Sequence, residues 1–368
     1  MASPLHAPLL AWRYGQYRLD RRLNGASDLY ASAERTWQVA PATTVLAPPA
    51  VVLPGQLDRV RRYIHWTTPE IERRRTLGDR FDRPPVTAYR LRDVALLRTS
   101  LIGRRGRKPL TDDVETVRLK DLAGASRLRE ASLASSYLGL TYFGHWLKDD
   151  GPLNLLAARF APPIVAREPE RNRDAFAETH VGGYVRRLGL AWRPHAAAVI
   201  DRLTCFDDED MTPEKGERMA ALRDRVQSTL GAPPAADRVF IKRGISDPQD
   251  RRFLNEDAMA DALSRRGFAV VDPSACTVDE LERMIGGARL IVGAEGSQQV
   301  HGLYYLRDGG GVLAITSPDR YSTVNKRWCD LMGLRYGVVV GHPAEGGFEA
   351  DADEVLRTVD AMGAMGAG

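Results

Sequence analysis

The sequence predicts an α/β fold in two domains, and three observations predict it. The length of 368 residues suits two domains at about 100 to 200 residues each. The composition, 43% hydrophobic and 27% charged, is that of an ordinary soluble chain with a sizeable core. In the last third, short apolar runs alternate with helical periods of roughly 10 to 15 residues, as a parallel sheet covered by helices requires.

Taken in order, residues 45–55 (VLAPPAVVLPG) and 86–103 (VTAYRLRDVALLRTSLIG) are rich in strand formers, whereas 145–160 and 214–230 carry helical spacing. Residues 1–230 are therefore expected to form an α/β domain with a β-rich N-terminal segment. Residues 231–236 (GAPPAA) predict a hinge, because adjacent prolines and small residues break helices. The second domain is expected over 231–368.

The elements of that domain are more sharply drawn. RVFIK at 238–242 reads as a strand, and Asn255 offers an N-cap ahead of acidic Glu256 and Asp257. Gly267 closes that helix and FAVV at 268–271 is the next strand. Thr277 and Glu280 form a capping box before Val278, Leu281, Ile285 and Ala288. A strand at 290–292 is turned by GAEGS at 293–297 into a helix, and strands at 311–315 and 336–340 alternate with helices around 325–332 and 351–362. Residues 236–345 thus predict a Rossmann-like domain.

No run approaches the roughly 18 consecutive apolar residues of a membrane-spanning helix. The opening MASPLHAPLLAW has neither a basic leader nor a long apolar segment, so a cytoplasmic location is expected. Cys205, Cys276 and Cys329 form no CxxC pair, which argues against a disulfide framework and a structural zinc site, and all three are expected to be small buried side chains.

The net charge is +4, and of 52 cationic residues six are Lys and 46 Arg. Guanidinium groups suit phosphate recognition, although codon usage in a GC-rich genome gives the same bias. The basic clusters at 59–63, 72–75 and 103–108 are short and interleaved with Asp and Glu. With so small a net charge they argue against a nucleic-acid partner and leave peripheral contact with an anionic membrane face as an option.

Four segments carry candidate chemistry. GAEGS links a strand to a helix, so the N–H groups near Gly296 and Ser297 are expected at the carboxyl edge of the sheet, where anions bind. It is not GxGxxG, which disfavours a dinucleotide cofactor. Lys242, Arg243, Arg251 and Arg252 place cations near the same edge, able to meet a diphosphate. In YFGHWLKDDGPLNLLA at 142–157, His145 and Asp149 are four apart and would share a helix face, either one able to act as general base. FDDED at 206–210 holds Asp208 and Asp210 in an Asp-x-Asp, read as an acidic solvated loop and helix-start charge rather than a metal site. No metal is expected, and neither GxSxG nor HExxH occurs.

Together these segments resemble glycosyltransferase family 61, whose bacterial members are often labelled capsular polysaccharide biosynthesis proteins. FGHWLKDDGPLNLL is similar to the family's Phe-x-His-Trp-Leu, Asp, Leu-Pro-x-Leu segment. The run from VFIKRG through RRFLNE and GFAVV to VGAEGS is similar to its strand, Arg, Arg-x-x-x-Asn-Glu, Gly-Phe-x-Val and Val-Gly-x-His-Gly series. The likeness covers about 140–345 well and 45–100 faintly.

The resemblance implies a GT-B-like architecture, two Rossmann-like domains facing a central cleft, and inverting transfer without an obligatory metal or cofactor. A nucleotide-sugar would be the co-substrate and a hydroxyl of a glycan or lipid-linked glycan the acceptor. It assigns Arg243, Arg251 and Asn255 to the donor-side signature, and Glu295, Gly296, Ser297, Gln298 and His301 of the strand-to-helix turn are expected on the same side. His145 and Asp149 become catalytic, and Trp146 and Asp150 fall on the acceptor side. Three positions depart from the family pattern: Glu295 replaces a common His, His301 a common Asn, and Gly151-Pro152 the Leu-Pro. Glu295 would repel a diphosphate unless its carboxylate accepts hydrogen bonds from ribose or sugar hydroxyls. A non-catalytic nucleotide-sugar or glycan-binding protein with the same fold is the alternative.

Overall fold

The computed structural model describes residues 6–25, 28–111, 125–166, 175–231, 236–244 and 251–364. The predicted hinge prolines lie outside these. The chain is mixed α/β and divides into two compact units, one of residues 1–43 and 84–210, the other of 44–83 and 211–368. No helix among the described residues is long and apolar enough to cross a membrane.

The first unit is built on an eight-stranded mixed sheet. Its long central strand, Val86–Leu97, pairs antiparallel with Ala197–Asp207, Ser100–Ile102 and Arg35–Ala40. Beyond Ala197–Asp207 the pairing turns parallel, through Ser126–Leu133 and Pro163–Ala166 to Pro194–His195. Buried Leu91, Val94, Leu96, Ile200 and Leu203 form the core on one face. The helix His6–Asn24 covers the other, with Leu10 and Tyr17 against Leu97, Ile102 and Val199.

The strand expected over 45–55 ends at Ala47. Pro48, Pro49 and Pro54 lack the N–H that a continuing ladder needs.

The second unit carries a five-stranded parallel sheet in the order Ala269–Val271, Arg238–Ile241, Leu290–Ala294, Gly311–Thr316, Arg335–Val340. Every residue of Leu290–Ala294 and Gly311–Thr316 is buried, as expected for strands covered on both faces. Strand order reverses between Arg238–Ile241 and Leu290–Ala294, and such a switch point opens a crevice at the carboxyl ends of the two strands. The Thr277–Glu280 capping box forms as predicted. The Asn255 side chain does not cap its helix; it holds the backbone of Ala350 in both directions, at 2.9 and 3.0 Å.

The helix Pro213–Gln227 belongs to this unit, with Gln227 Nε2 donating to Tyr304 O at 2.8 Å. So does Pro69–Leu77, where the buried Glu72 carboxylate accepts from Thr323 N and Oγ1 at 2.7 and 2.5 Å. The basic clusters at 59–63 and 72–75 are engaged within the unit: Arg59 pairs with Glu354, Arg61 and Arg62 with Asp319, Arg74 with Asp79 and Arg75 with Glu72. Cys205 and Cys329 are buried as expected, whereas Cys276, just ahead of the capped helix, is half-exposed.

Candidate active site

The sequence-predicted residues fall into two groups, one in each unit. In the first unit, Phe143–His145 is one helical turn, Trp146–Asp150 follows as a π-helical turn, and Gly151–Ala158 continues as α-helix. Such a bulge re-aims side chains within a helix and is common at functional sites. His145 Nδ1 lies 2.7 Å from Asp149 Oδ2. Lys148 Nζ, itself buried, donates to the same oxygen at 3.0 Å and lies 3.0 Å from Nδ1.

When Nδ1 carries the proton, both neighbours donate to Asp149 and Nε2 is left as the ring's proton-accepting atom. Asp150 points elsewhere: its Oδ1 accepts from Ser136 N at 2.9 Å. Trp146 is buried, stacked on Phe143 and edge-on to Trp192. Both residues therefore shape the turn that carries Asp149.

In the second unit, the switch point gathers three arginines. Arg243 follows the strand Arg238–Ile241, and its Nη1 donates to the Glu295 carbonyl. Arg251 Nη2 and Arg320 Nη1 lie 3.6 and 3.4 Å from Glu295 Oε2. The Glu295 carboxylate is thus the hub that holds two guanidinium groups together, which answers the repulsion its negative charge would otherwise pose.

Burial, then the like charges of Arg251 and Arg320, push the Arg243 guanidinium down to about 10, against the opposing pull of Glu295 and Glu256. That crowding is electrostatic strain which a bound anion would relieve. Glu256 is turned to the backbone, accepting from Arg243 N at 2.7 Å and Gly244 N at 2.9 Å. Its carboxyl is raised by burial despite those two bonds.

Ala294, Ile315, Ser317 and Phe348 complete the lining of this cleft. The space between the side chains is only about 10 Å³, room for one water-sized group, so a diphosphate would rest on the rim of the cluster. A Cβ at Gly296 would meet the ends of the Gln298 and Arg243 side chains, at 2.5 and 2.9 Å, so a larger residue there would have to displace both.

The remaining donor-side candidates are placed differently. Ser297 is exposed, and Gln298 Nε2 bonds to Ala294 O, tightening the turn. His301 is fully buried beneath it. Asn255 serves the backbone of Ala350, as described.

Two members of these groups had no sequence prediction. Arg320 follows the strand Gly311–Thr316, and nothing marked it out among 46 arginines. Lys148 carried a signal in its rarity, being one of six lysines, three residues after His145. Asp208, read as part of a solvated loop and helix-start charge, is instead buried just past the end of Ala197–Asp207, and it lies outside the next helix, which starts only at Pro213 with Thr212 as its cap.

Residues 143–313 match the model of the family described as Glycosyltransferase 61. The match spans both groups of residues but stops short of Arg320. Over this segment the chain is similar to that glycosyltransferase family. None of the curated proteins matches the chain.

Proposed function

We propose that the protein is an inverting glycosyltransferase of the GT-B type, with donor binding assigned to the second unit and acceptor binding to the first. It would transfer a sugar from a nucleoside-diphosphate donor to a hydroxyl of a cell-surface glycan or lipid-linked glycan. The observation that carries this reading is the convergence of Arg243, Arg251 and Arg320 at the switch point of the second unit's sheet. Guanidinium groups fixed in advance stabilise the charge that develops on a departing diphosphate, and they cost no reorganisation at the moment of transfer.

In this reading Asp149 takes the proton of the acceptor hydroxyl while His145 and Lys148 hold its carboxylate in place. His145 Nε2 is the alternative acceptor of that proton. A positioned general base contributes about 10²- to 10⁴-fold. Asp149→Asn should therefore lower transfer by that factor while nucleotide binding is retained, measured as released nucleoside diphosphate alongside nucleotide titration. Full turnover in Asp149→Asn with loss in His145→Ala would move the role to the imidazole. A protein that binds donors but never turns one over would be a binding module.

Contact with an anionic membrane face is part of the proposal, and its best support is the outer stripe of His6–Asn24. Trp12, Leu19 and Leu23 are 64%, 61% and 72% exposed, spaced to share one side of the helix, with Arg18 and Arg22 beside them.

A further inference from the structure

In the first unit a cavity of about 500 Å³ opens at the carboxyl ends of the parallel strands Ser126–Leu133 and Ala197–Asp207. The volume is in the range of sites that enclose small organic ligands, and the position is where open α/β sheets bind them. Asp149 is on its wall.

The lining combines two chemistries. Tyr30 and Tyr89 are stacked, with ring centroids 4.4 Å apart and planes 20° from parallel, and both line the cavity. Five carboxylates, those of Asp28, Asp149, Asp207, Asp208 and Glu209, share the walls with one cation, Lys108, whose Nζ sits 4.1 Å from the Tyr30 ring centroid. Among the described residues no group of these acids is arranged to hold a metal ion. Their oxygens are spread over the walls, which suits several ligand hydroxyls better than one point charge.

Aromatic rings accept the C–H face of a pyranose, and carboxylates accept hydrogen bonds from its hydroxyls. The excess of negative charge disfavours any ligand bearing a carboxylate or phosphate and tolerates or favours an amine.

We propose that this cavity binds a sugar without acidic substituents, neutral or amino-bearing, and so sets which acceptor is used. The acceptor role rests on the glycosyltransferase reading; the binding does not. The probes are methyl glycosides of glucose, galactose and mannose, the methyl glycoside of glucosamine, and methyl glucuronide and galacturonide, followed by saturation-transfer NMR on the full chain.

Neutral and amino glycosides should bind at least tenfold more tightly than the uronides. Tyr89→Ala should weaken them about tenfold. Asp207 and Glu209 are exposed, so the double change Asp207→Lys with Glu209→Lys should keep the fold, checked by its thermal melt, and raise uronide affinity about tenfold.

Uronides binding as well as their parent glycosides, no glycoside binding at all, or binding indifferent to all these changes would overturn the proposal. The two readings fail separately. A chain that shows this selectivity but turns over no donor keeps the cavity assignment and loses the transferase. One that turns over a donor without the selectivity keeps the transferase and loses the cavity assignment.

Discussion

Asp330 shows how far burial reaches in this chain. Its carboxyl is pushed up to about 6 from an ordinary 3.8 by desolvation, although Lys326 Nζ lies 2.7 Å away and pulls the other way. The folded state therefore holds the Asp330 proton more tightly than the unfolded chain does. The group's contribution to stability is greatest below about pH 4 and is lost as pH rises through about 6, by up to about 3 kcal/mol. Thermal melts from pH 4 to 8 should show this decline in the wild type, and Asp330→Asn should flatten it. An unchanged slope in the variant would place the titration elsewhere.

Lys326 also illustrates what residue type alone conceals. Lys148, Lys215 and Lys326, three of the six lysines, are buried, whereas the Arg-rich surface drew attention to itself by number alone. Glu72 sits in an ERRR run whose basic residues suggest contact with an anionic surface, yet its own carboxylate is buried on Thr323. Partners 251 positions apart leave no local trace in sequence.

Among the elements, the turn Trp146–Asp150 is where local sequence and chemistry meet. The spacing of His145 and Asp149 made their contact legible, but a π-helical turn has no composition that distinguishes it from the α-helix on either side. Its footing is tight. Gly139 lies against the Asp150 carboxylate, and a Cβ there would collide with it. Gly139→Ala should cost about 1–3 kcal/mol as an overpacked site. It should also depress turnover by displacing the turn that carries Asp149, with the loss seen in kcat rather than in nucleotide affinity.

The helix His6–Asn24 makes a separate prediction. Vesicles rich in phosphatidylglycerol should sediment the protein and neutral phosphatidylcholine vesicles should not. The triple change Trp12→Ser, Leu19→Ser and Leu23→Ser should release it, since those side chains are exposed and removing them leaves the buried Leu10 and Tyr17 in place. Equal sedimentation of wild type and variant would remove this helix from any membrane role.

At the scale of the whole molecule, legibility followed contact distance. The parallel sheet of the second unit could be read strand by strand, because each strand, turn and cap is encoded within a few residues: the capping box, Gly267 and the all-buried strands are local signals. The mixed sheet of the first unit was visible only as strand-rich segments, since its antiparallel half is set by pairings such as Ile200 with Val94. The return of residues 44–83 to the second unit rests on bridges such as Val51 to Gly337, which no nearby pattern announces.

The arginine cluster was half legible for the same reason. Arg243 and Arg251 precede a helix start within one short stretch, whereas Arg320 reaches Glu295 from a different loop.

The central claim is that these arginines form a nucleoside-diphosphate site, and nucleotide titration by calorimetry across UDP, GDP, CDP and dTDP tests it most directly. One diphosphate should bind, and its affinity should fall about 10- to 100-fold in Arg243→Ala and again in Arg320→Ala, as expected for loss of charge-assisted hydrogen bonds. Binding indifferent to both substitutions, or no binding by any of the four nucleotides, would contradict the account.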